Sequence, residues 1–366
     1  MQIHELTSKT STFSSSDQFV TDNGTTTTKS DFNTLANAIL ATYSGTTLAG
    51  AAQTAKTALD NLKTKADAFD AIFSAGSTAG LHNSIYRGKN ITSYLTDGTL
   101  WKRIGGTDGY SVYEDLWLGD YITVGSNSYA IVDFDYYRNC GDTNINVNHL
   151  VMMPTGNMSI PEGTTLYGGT NTLQFINTTN AGVDVSSQET ATAFKWNATM
   201  AAPNTHTTAG GYKFSRMRQT IMKAADTIVV NAFGSAHVKP ITVLYYNPAA
   251  ATDSGLADGR AWFSDSAWTS DTRMSICDLP NETQIYGQQV WGLGSAFGNV
   301  AYEIGIDKFQ FSAFKHQRAL VDTRTNWWLR SVFSNASAAH LGGGGHTNYG
   351  GSAHALGVRP RFLLVA

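Results

Sequence analysis

Short β-type runs separated by turn residues dominate the chain from residue 81 onward, and they limit its fold more than any other feature. Runs rich in Ile, Val, Tyr and Trp end after a few residues at Gly, Asp or Asn, as in WKRIGGTDGYSVYEDLWLGDYITVGSNSYAIVDFDYY. Such runs are too short for helices and are bounded by residues that favour turns. Residues 122–124, a Gly-Ser-Asn-Ser turn and residues 129–134 predict a β-hairpin. The last run, GVRPRFLLVA, predicts a strand that ties this end of the chain into a sheet.

Helical patterns precede and interrupt these strands. Asn23 and Gly24 predict a hairpin turn beside an extended run at 25–28. Residues 31–40 and 51–73 predict two helices, and a third opens near Tyr212. The second has a narrow apolar stripe, typical of a helix that packs against a copy of itself or a neighbour: Ala51, Ala55, Ala58, Leu62, Ala66, Phe69 and Ile72. With a linker at 74–80, the sequence predicts an α+β protein with an N-terminal region at 1–80 and a larger domain at 81–366.

Composition excludes several classes of protein. Charged residues make up 14% of the chain, against about 25% in a typical protein. The net charge of −3 gives no basis for binding nucleic acid. The sequence has no run of eighteen apolar residues, so we expect no membrane span. Two cysteines, Cys140 and Cys277, are too few for a disulfide framework or a four-cysteine zinc site. Two buried free thiols are the favoured interpretation, and a single bridge between them is the alternative.

Known catalytic and metal-binding patterns are missing from the sequence. His340, His346 and His354 share a glycine-rich stretch without the spacing of a zinc motif. Asp133 and Asp135 offer a calcium site together with Asn139 or Asp142, but solvated strand carboxylates are the favoured interpretation. There is no phosphate-binding loop and no nucleophile elbow. We therefore expect no cofactor and no metal.

Residues 331–357, here called the C-terminal segment, show neither a helical nor a strand period although rigid apolar blocks lie on both sides. The segment contains no Lys, Glu, Gln, Met or Trp, where the composition of the chain predicts about three. Mutation of template adenines, which the family resemblance of this chain implies, turns an AAC codon into codons for none of these five residues. An ordinary glycine-rich loop is the alternative explanation.

Several motifs give the chain a family resemblance. SIYRGKNITSYLTDGTLWKRI, EDLWLGDYI, GGYKFSRMR, LPNETQIYG and the closing pair NWWLRS and GVRPRF resemble a bacteriophage protein family. That family is similar to the C-type-lectin-like variable proteins of diversity-generating retroelements, in which template adenines are mutated to rewrite the C-terminal end. The match runs from about residue 83 to the end, and its closing pair is the most specific part. DNGTTTTKSDF resembles, more weakly, the particle-attaching start of phage fibres.

The resemblance implies a division of roles near the C-terminal end. Six residues would form a buried framework, and Gly357 and Pro360 would fix the backbone; the six are Trp327, Trp328, Leu329, Val358, Phe362 and Leu364. Framework positions within the segment would be Val332, Ser334, Ala339, Leu341 and Gly345. The displayed, ligand-binding positions would be Phe333, Asn335, Ala336, Ser337, His340, Gly342, Gly343, Gly344, His346, Asn348, Tyr349, Gly350, Ala353, His354 and Leu356. Four consecutive glycines depart from the family pattern and leave the contacts to the aromatic, histidine and asparagine positions.

By this resemblance the chain is a receptor-binding protein of a phage tail or head fibre. It would bind a host cell-surface protein or glycan, contact other virion proteins through residues 1–80, and form a homotrimer. It would be made in the bacterial cytoplasm and located on the virion, without binding nucleic acid or inserting into a membrane. A virion decoration or fibre protein without a specific ligand is the alternative. We do not expect an enzyme, since oxidases of the same fold class need reactive cysteines and Cys140 and Cys277 lie outside such a pattern.

Overall fold

The chain divides into two compact units, Met1–Ala75 and Gly76–Ala366, in the computed structural model. The structure describes residues 18–22, 27–31, 48–74, 79–139, 145–176, 189–199, 205–208, 211–241, 244–249, 256–264, 276–288, 290, 309–334 and 336–366. Helices and sheets are mixed along the chain, which is compatible with the predicted α+β class. No helix in these ranges is both long and apolar enough to cross a membrane.

The N-terminal unit contains a hairpin and one long helix. Strands β1 (Gln18–Asp22) and β2 (Thr27–Asp31) pair antiparallel on either side of the predicted Asn-Gly turn, which confirms the hairpin. Strand β2 includes the first residue of the helix predicted at 31–40, and the rest of that prediction lies outside the described residues. Helix α1 (Leu48–Ser74) confirms the second predicted helix, and every side chain at 51–67 is exposed.

The main sheet of the C-terminal unit is antiparallel, with strand order β13-β5-β4-β3. Its strands are β3 (Tyr121–Val124), β4 (Asn127–Phe134), β5 (His149–Pro154) and β13 (Phe362–Val365). Strands β3 and β4 confirm the predicted hairpin, and β13 confirms the predicted closing strand. All of β5 and all of β4 except Ser128 are buried, so the two central strands do not alternate between buried and exposed residues.

Short helices and small sheets complete this unit. The helices are α2 (Ala79–His82), α3 (Thr92–Thr96), α4 (Thr99–Gly105), α5 (Gly211–Phe214), α6 (Met222–Phe233), α7 (Glu282–Tyr286) and α8 (Ser312–His316), with a 3₁₀ turn at Arg318–Leu320. The remaining strands are β6 (Phe194–Lys195), β7 (Leu244–Ala249), β8 (Leu256–Ser264), β9 (Trp327–Val332), β10 (Ser337–Leu341), β11 (Thr347–Gly351) and β12 (Ala355–Leu356). They pair as β6 with β12, β7 with β8, and β11-β10-β9 in a three-stranded sheet.

The helix predicted to open near Tyr212 is present but interrupted. A π-helical stretch at Met217–Ile221 separates α5 from α6. The hydroxyl of Ser215 donates to the carbonyl of Tyr212 at 2.7 Å and accepts from the backbone N–H of Arg218 at 3.2 Å. A side chain that takes the place of backbone partners in this way breaks the regular helical ladder.

Charged side chains lie inside the core of the C-terminal unit. Asp278 is fully buried, and the guanidinium of Arg361 donates to its Oδ2 at 3.1 Å. Arg330 Nη1 lies 3.6 Å from the same oxygen, and Arg218 Nε lies 3.9 Å from Oδ1. This cluster links Arg330 of β9 and Arg361, next to β13, to the segment at 276–281. Removal of one of its charges should be destabilising, because a buried charge that loses its partner is costly.

Candidate binding site

Strand β9 forms the inner side of the candidate site. All six of its residues are buried. The indole Nε1 of Trp328 donates to the carbonyl of Phe194 at 2.7 Å, and Nε1 of Trp196 donates to the carbonyl of Leu329 at 3.1 Å. Each indole therefore buries its ring and satisfies its single donor, which fixes β9 against β6.

The second apolar block, after the C-terminal segment, is anchored by a buried arginine. Arg359 donates from Nε to the carbonyl of Pro154 at 2.9 Å and from Nη1 to the carbonyl of Leu320 at 2.6 Å. Its guanidinium lies 4.7 Å from the ring centre of Trp327, and burial lowers its pKa to about 9. The predicted burial of the framework is confirmed for all six residues: Trp327, Trp328, Leu329, Val358, Phe362 and Leu364.

Gly357 joins the two blocks by close backbone approach. Its N–H donates to the carbonyl of Asn326 at 3.0 Å, and its carbonyl accepts from the N–H of Trp328 at 2.9 Å. A Cβ at this position would lie 2.0 Å from Cγ of Asn157. Only glycine leaves room for that side chain, in agreement with the predicted role of Gly357.

The C-terminal segment forms a β-hairpin whose strands extend a sheet from β9, although the sequence shows no strand period there. Strands β10 and β11 pair antiparallel, from Ser337 opposite Gly351 to Leu341 opposite Thr347, and β10 also pairs with β9. Four of the five residues of β10 are buried. Because β10 is a covered central strand made of small residues and β11 ends in two glycines, the usual apolar–polar alternation is not visible.

The four glycines form the turn of this hairpin, and Gly342 is buried in it, which corrects the prediction that Gly342 is displayed. The N–H of Gly342 donates to the carbonyl of His346 at 2.8 Å, and that of Gly343 donates to Oδ1 of Asn326 at 2.7 Å. A Cβ on Gly342 would lie 2.4 Å from the ring of His346, and one on Gly343 would lie 3.0 Å from the backbone of Arg324. Gly345 has a φ of 79°, a conformation that favours glycine.

Two further positions predicted to be displayed are buried. Ala353 is 2% exposed and His340 is 7% exposed. The ring of His340 meets the face of Trp328 edge-on, with centres 5.8 Å apart, and burial lowers the pKa of the imidazole. These two residues are therefore not displayed on the surface.

The other predicted positions are at least partly accessible, apart from Asn335, which lies outside the described residues. The exposed ones are Gly344, His346, Tyr349 and His354. The partly exposed ones are Phe333, Ala336, Ser337, Asn348, Gly350 and Leu356, with Gly343 in the turn. The rings of Phe333 and Tyr349 stack with centres 4.1 Å apart, and Tyr349 is 43% exposed.

One contributor to this surface was missed in the sequence. The exposed ring of His206 meets His354 edge-on at 5.1 Å, and a Cβ on Gly351 would overlap its Nδ1 at 1.9 Å. The backbone N–H of Thr207 donates to Oγ of Ser352 at 2.7 Å. Residues 205–208 therefore belong to the site, but they lie far away in the chain and carry no motif that would indicate this.

The acidic pair predicted to be solvated is held by protein donors instead. Asp133 is buried, accepts from the N–H of Ser312 at 2.8 Å, and burial raises its pKa to about 6. Asp135 accepts from the hydroxyl of Tyr113 at 2.5 Å and from Nε of Arg138 at 2.9 Å. Across the described ranges no group of three or more His, Cys, Asp or Glu residues could hold a metal ion. Cys277 is a buried free thiol, and Cys140 lies outside those ranges.

Comparison of the chain with protein-family models, with curated proteins and with solved structures gave no match. The resemblance to phage variable proteins therefore stays a prediction that rests on the sequence motifs.

Proposed function

We propose that the chain is a receptor-binding protein of a phage tail or head fibre, with a C-type-lectin-like C-terminal domain that binds a host cell-surface ligand through the C-terminal segment. One observation carries the proposal. A completely buried strand, β9, supports the β10–β11 hairpin. Tyr349 and His346 of the hairpin are exposed, and so is His354, which follows it. Exposed aromatic and histidine side chains on a rigid frame are suited to recognition, since little ordering is needed when a ligand binds.

Attachment to bacterial cells tests the proposal. The purified full chain, labelled with a fluorophore, is incubated with a panel of bacterial strains and bound fluorescence is measured. We expect saturable attachment to a subset of strains. Simultaneous replacement of Phe333, His346 and Tyr349 by Ala should reduce attachment to those strains, while circular dichroism shows a folded protein.

The alternative function, a virion decoration or fibre protein without a specific ligand, predicts a different result. In that case neither the wild-type chain nor the variant attaches to any strain, although both are folded. Attachment that is equal in the wild-type chain and the triple variant would place the binding surface elsewhere and contradict the proposed site.

Self-assembly through α1 is the second part of the proposed function. The predicted apolar stripe passes through Ala66, next to Lys65. With Leu48 added and position 65 taken in place of 66, positions 48, 51, 55, 58, 62, 65, 69 and 72 alternate in steps of three and four, the spacing of a coiled-coil seam. Lys56 pairs with Asp60 and Lys63 with Asp67, each at 2.7 Å, and all four lie outside the seam. Leu59 and Leu62 are both 66% exposed, so an apolar stripe is open to a partner, and the two ion pairs lie on the other side of the helix.

Lys65 is the only charged residue in this seam. Copies that associate in parallel and in register confine it to one layer, whereas any shifted arrangement places it against apolar layers more than once. A single polar layer therefore favours a parallel, in-register bundle of identical chains, and we propose the predicted homotrimer.

Disulfide trapping distinguishes this arrangement from others. Ala58→Cys introduces a thiol in the seam, and Gln53→Cys introduces one on the opposite face as a matched control. Under mild oxidation we expect linked dimers from the first variant and not from the second, with a light-scattering mass near three times 39.4 kDa for the wild type. A monomeric mass at micromolar concentration with no linked species would contradict self-assembly.

A further inference from the structure

The C-terminal segment contains no formally charged residue. None of residues 331–357 is Asp, Glu, Lys or Arg. The arginines that flank it, Arg330 and Arg359, are buried and turned into the core. The displayed surface is therefore built from aromatic, imidazole, amide, hydroxyl and small apolar groups.

Among the described residues, Glu282, Asp322 and Arg324 lie beside the turn end of the hairpin, and Lys213 of α5, a helix that contacts β9, is partly exposed. Glu282 is fully buried, and its Oε1 accepts from the hydroxyl of Thr347 at 2.6 Å. Asp322 and Arg324 are next to the glycine turn, with Arg324 Nε 3.7 Å from the Asp322 carboxylate. Tyr349 is the most exposed aromatic residue of the segment. It lies in β11, where it pairs with Ala339 of β10.

A charge-free surface favours neutral groups of a partner over charged ones. Roughly a quarter of the residues of an average protein are charged, and burying such groups without a paired charge or hydrogen bond is unfavourable. A neutral ligand avoids this cost. The cost of desolvation therefore makes this surface prefer neutral ligands, whatever their shape.

The polar groups that are present match hydroxyl groups. A neutral imidazole and a carboxamide each present both a donor and an acceptor, as a hydroxyl does. His346, His354 and His206 supply imidazoles around the hairpin, and Asn348 supplies an amide whose Oδ1 also accepts from the N–H of Tyr349 at 2.8 Å. Tyr349, stacked on Phe333 at 4.1 Å, provides a supported aromatic surface for the apolar face of a pyranose ring.

We propose that the ligand of the C-terminal segment is an uncharged carbohydrate. Sugar rings stack on the Phe333–Tyr349 pair, and their hydroxyls exchange hydrogen bonds with the surrounding imidazole and amide groups. This inference rests on the proposed receptor-binding function and adds the chemical class of the receptor.

Selective destruction of cell-surface groups tests the inference. Cells of an attaching strain are treated with metaperiodate, which cleaves vicinal diols of sugars, or with proteinase K, and attachment of the full chain is then measured. We expect periodate to abolish attachment and proteinase K to leave it unchanged. Attachment should also stay constant between about 0.05 and about 0.5 M NaCl, because a neutral interface has no charges for salt to screen.

Two variants connect these results to the surface. Tyr349→Phe keeps the ring and should retain attachment within about twofold, whereas Tyr349→Ala should lower it about tenfold, the loss of one good contact. Attachment that resists periodate but is lost after protease treatment, or that falls steeply with salt, would overturn the carbohydrate inference and leave receptor binding intact. Absence of attachment to every strain would instead reject both.

Discussion

Strands β9 and β11 belong to one three-stranded sheet, yet they differ in almost every physical property. All six residues of β9 are buried, and none of the five residues of β11 is. Strand β9 carries two tryptophans and an arginine near the buried Asp278, whereas β11 consists of small and neutral residues around one tyrosine. Strand β10 lies between them and is mostly buried.

This difference separates a stabilising strand from the strand proposed to bind a ligand by about 10 Å, the width of two strand spacings. The inner strand fixes the position of the sheet through contacts that cannot be altered without a large loss of stability. The outer strand contributes little burial, so its side chains can change while the fold remains. The following predictions test this separation.

The largest effect is expected for Trp328→Ala in the inner strand. Trp328 is completely buried and its indole bonds to the carbonyl of Phe194. Loss of a buried Trp costs roughly 3–5 kcal/mol, and we expect that decrease in the free energy of unfolding, measured with urea. A decrease below about 1 kcal/mol, the size of an ordinary surface change, would remove the distinction between the two strands.

A pH-dependent effect is expected for Asp226→Asn, also in the buried interior. Asp226 accepts from the N–H of Cys277 at 2.6 Å, and burial raises its pKa to about 7. An unfolded Asp titrates near about 3.9, so from about pH 4 to about pH 7 the folded wild type loses stability as pH rises. The Asn variant lacks this loss.

The melting temperature of the Asn variant should therefore exceed that of the wild type by several degrees at pH 8, and the difference should shrink towards pH 4. Melting curves across this range provide the measurement. A constant difference at all pH values would show that Asp226 does not titrate in the folded protein as its burial implies.

A moderate effect is expected in the turn that joins the buried β10 to the exposed β11. Gly345 has a φ of 79°, and a Cβ there would lie 3.3 Å from Cβ of Asp322. Gly345→Ala should therefore lower the free energy of unfolding by about 1–2 kcal/mol, the cost of a left-handed non-glycine residue. Gly344 is exposed, and a Cβ there would meet only Nδ1 of His346 at 3.6 Å.

Gly344→Ala is thus a matched control, for which we expect a change within about 0.5 kcal/mol. Urea unfolding of both variants checks the pair. Equal destabilisation would show that the turn is constrained at every glycine, and no destabilisation in either would show that it is not constrained at all.

A similar change in stability, with a large change in attachment, is expected on the exposed surface around the outer strand. Joint replacement of Phe333, His346 and Tyr349 by Ala removes a stacked ring pair and one exposed imidazole. We expect a loss of about 1–2 kcal/mol in unfolding free energy and at least about tenfold weaker attachment to cells. A triple variant that unfolds, while its folded fraction still attaches, would show that this surface is part of the core.

No effect is expected from a chelator. His340, buried beside Trp328, does not share a metal-holding cluster with the exposed His346 or His354. EDTA should leave the melting temperature unchanged. A decrease of several degrees that zinc restores would contradict the prediction that these histidines form no structural metal site.

Local patterns predicted much of the secondary structure. The Asn-Gly turn, the hairpin at β3 and β4, helix α1 and the closing strand each depend on residues close together in the chain, and each is present. Burial of Trp327 and Trp328 was also predictable, because a large apolar ring has little reason to remain in water. The hairpin inside the C-terminal segment escaped prediction because its glycines and alanines give no alternating pattern.

The candidate site was predicted only in part for a similar reason. Exposure of Tyr349 and His354 agrees with the residue pattern, but His340 has the same type of side chain and is buried. What separates them is Trp328 on the neighbouring strand, a partner that no local pattern in the segment indicates. His206 contacts His354 although the two lie far apart in the chain, and the residues around His206 in the sequence do not indicate this contact.

The sequence by itself determined the two hairpins at β1–β2 and β3–β4, helix α1 and the closing strand, which apolar blocks are buried, and that residues 331–357 carry no formal charge. These properties depend on side-chain chemistry and local periodicity, which are present before the chain folds. The tertiary structure alone decided which histidines face solvent, which glycines are packed in a turn, and that Asp278 lies among three arginines. Those outcomes depend on contacts between residues far apart in the chain, and burial acquires its energetic effect only when such contacts exclude water.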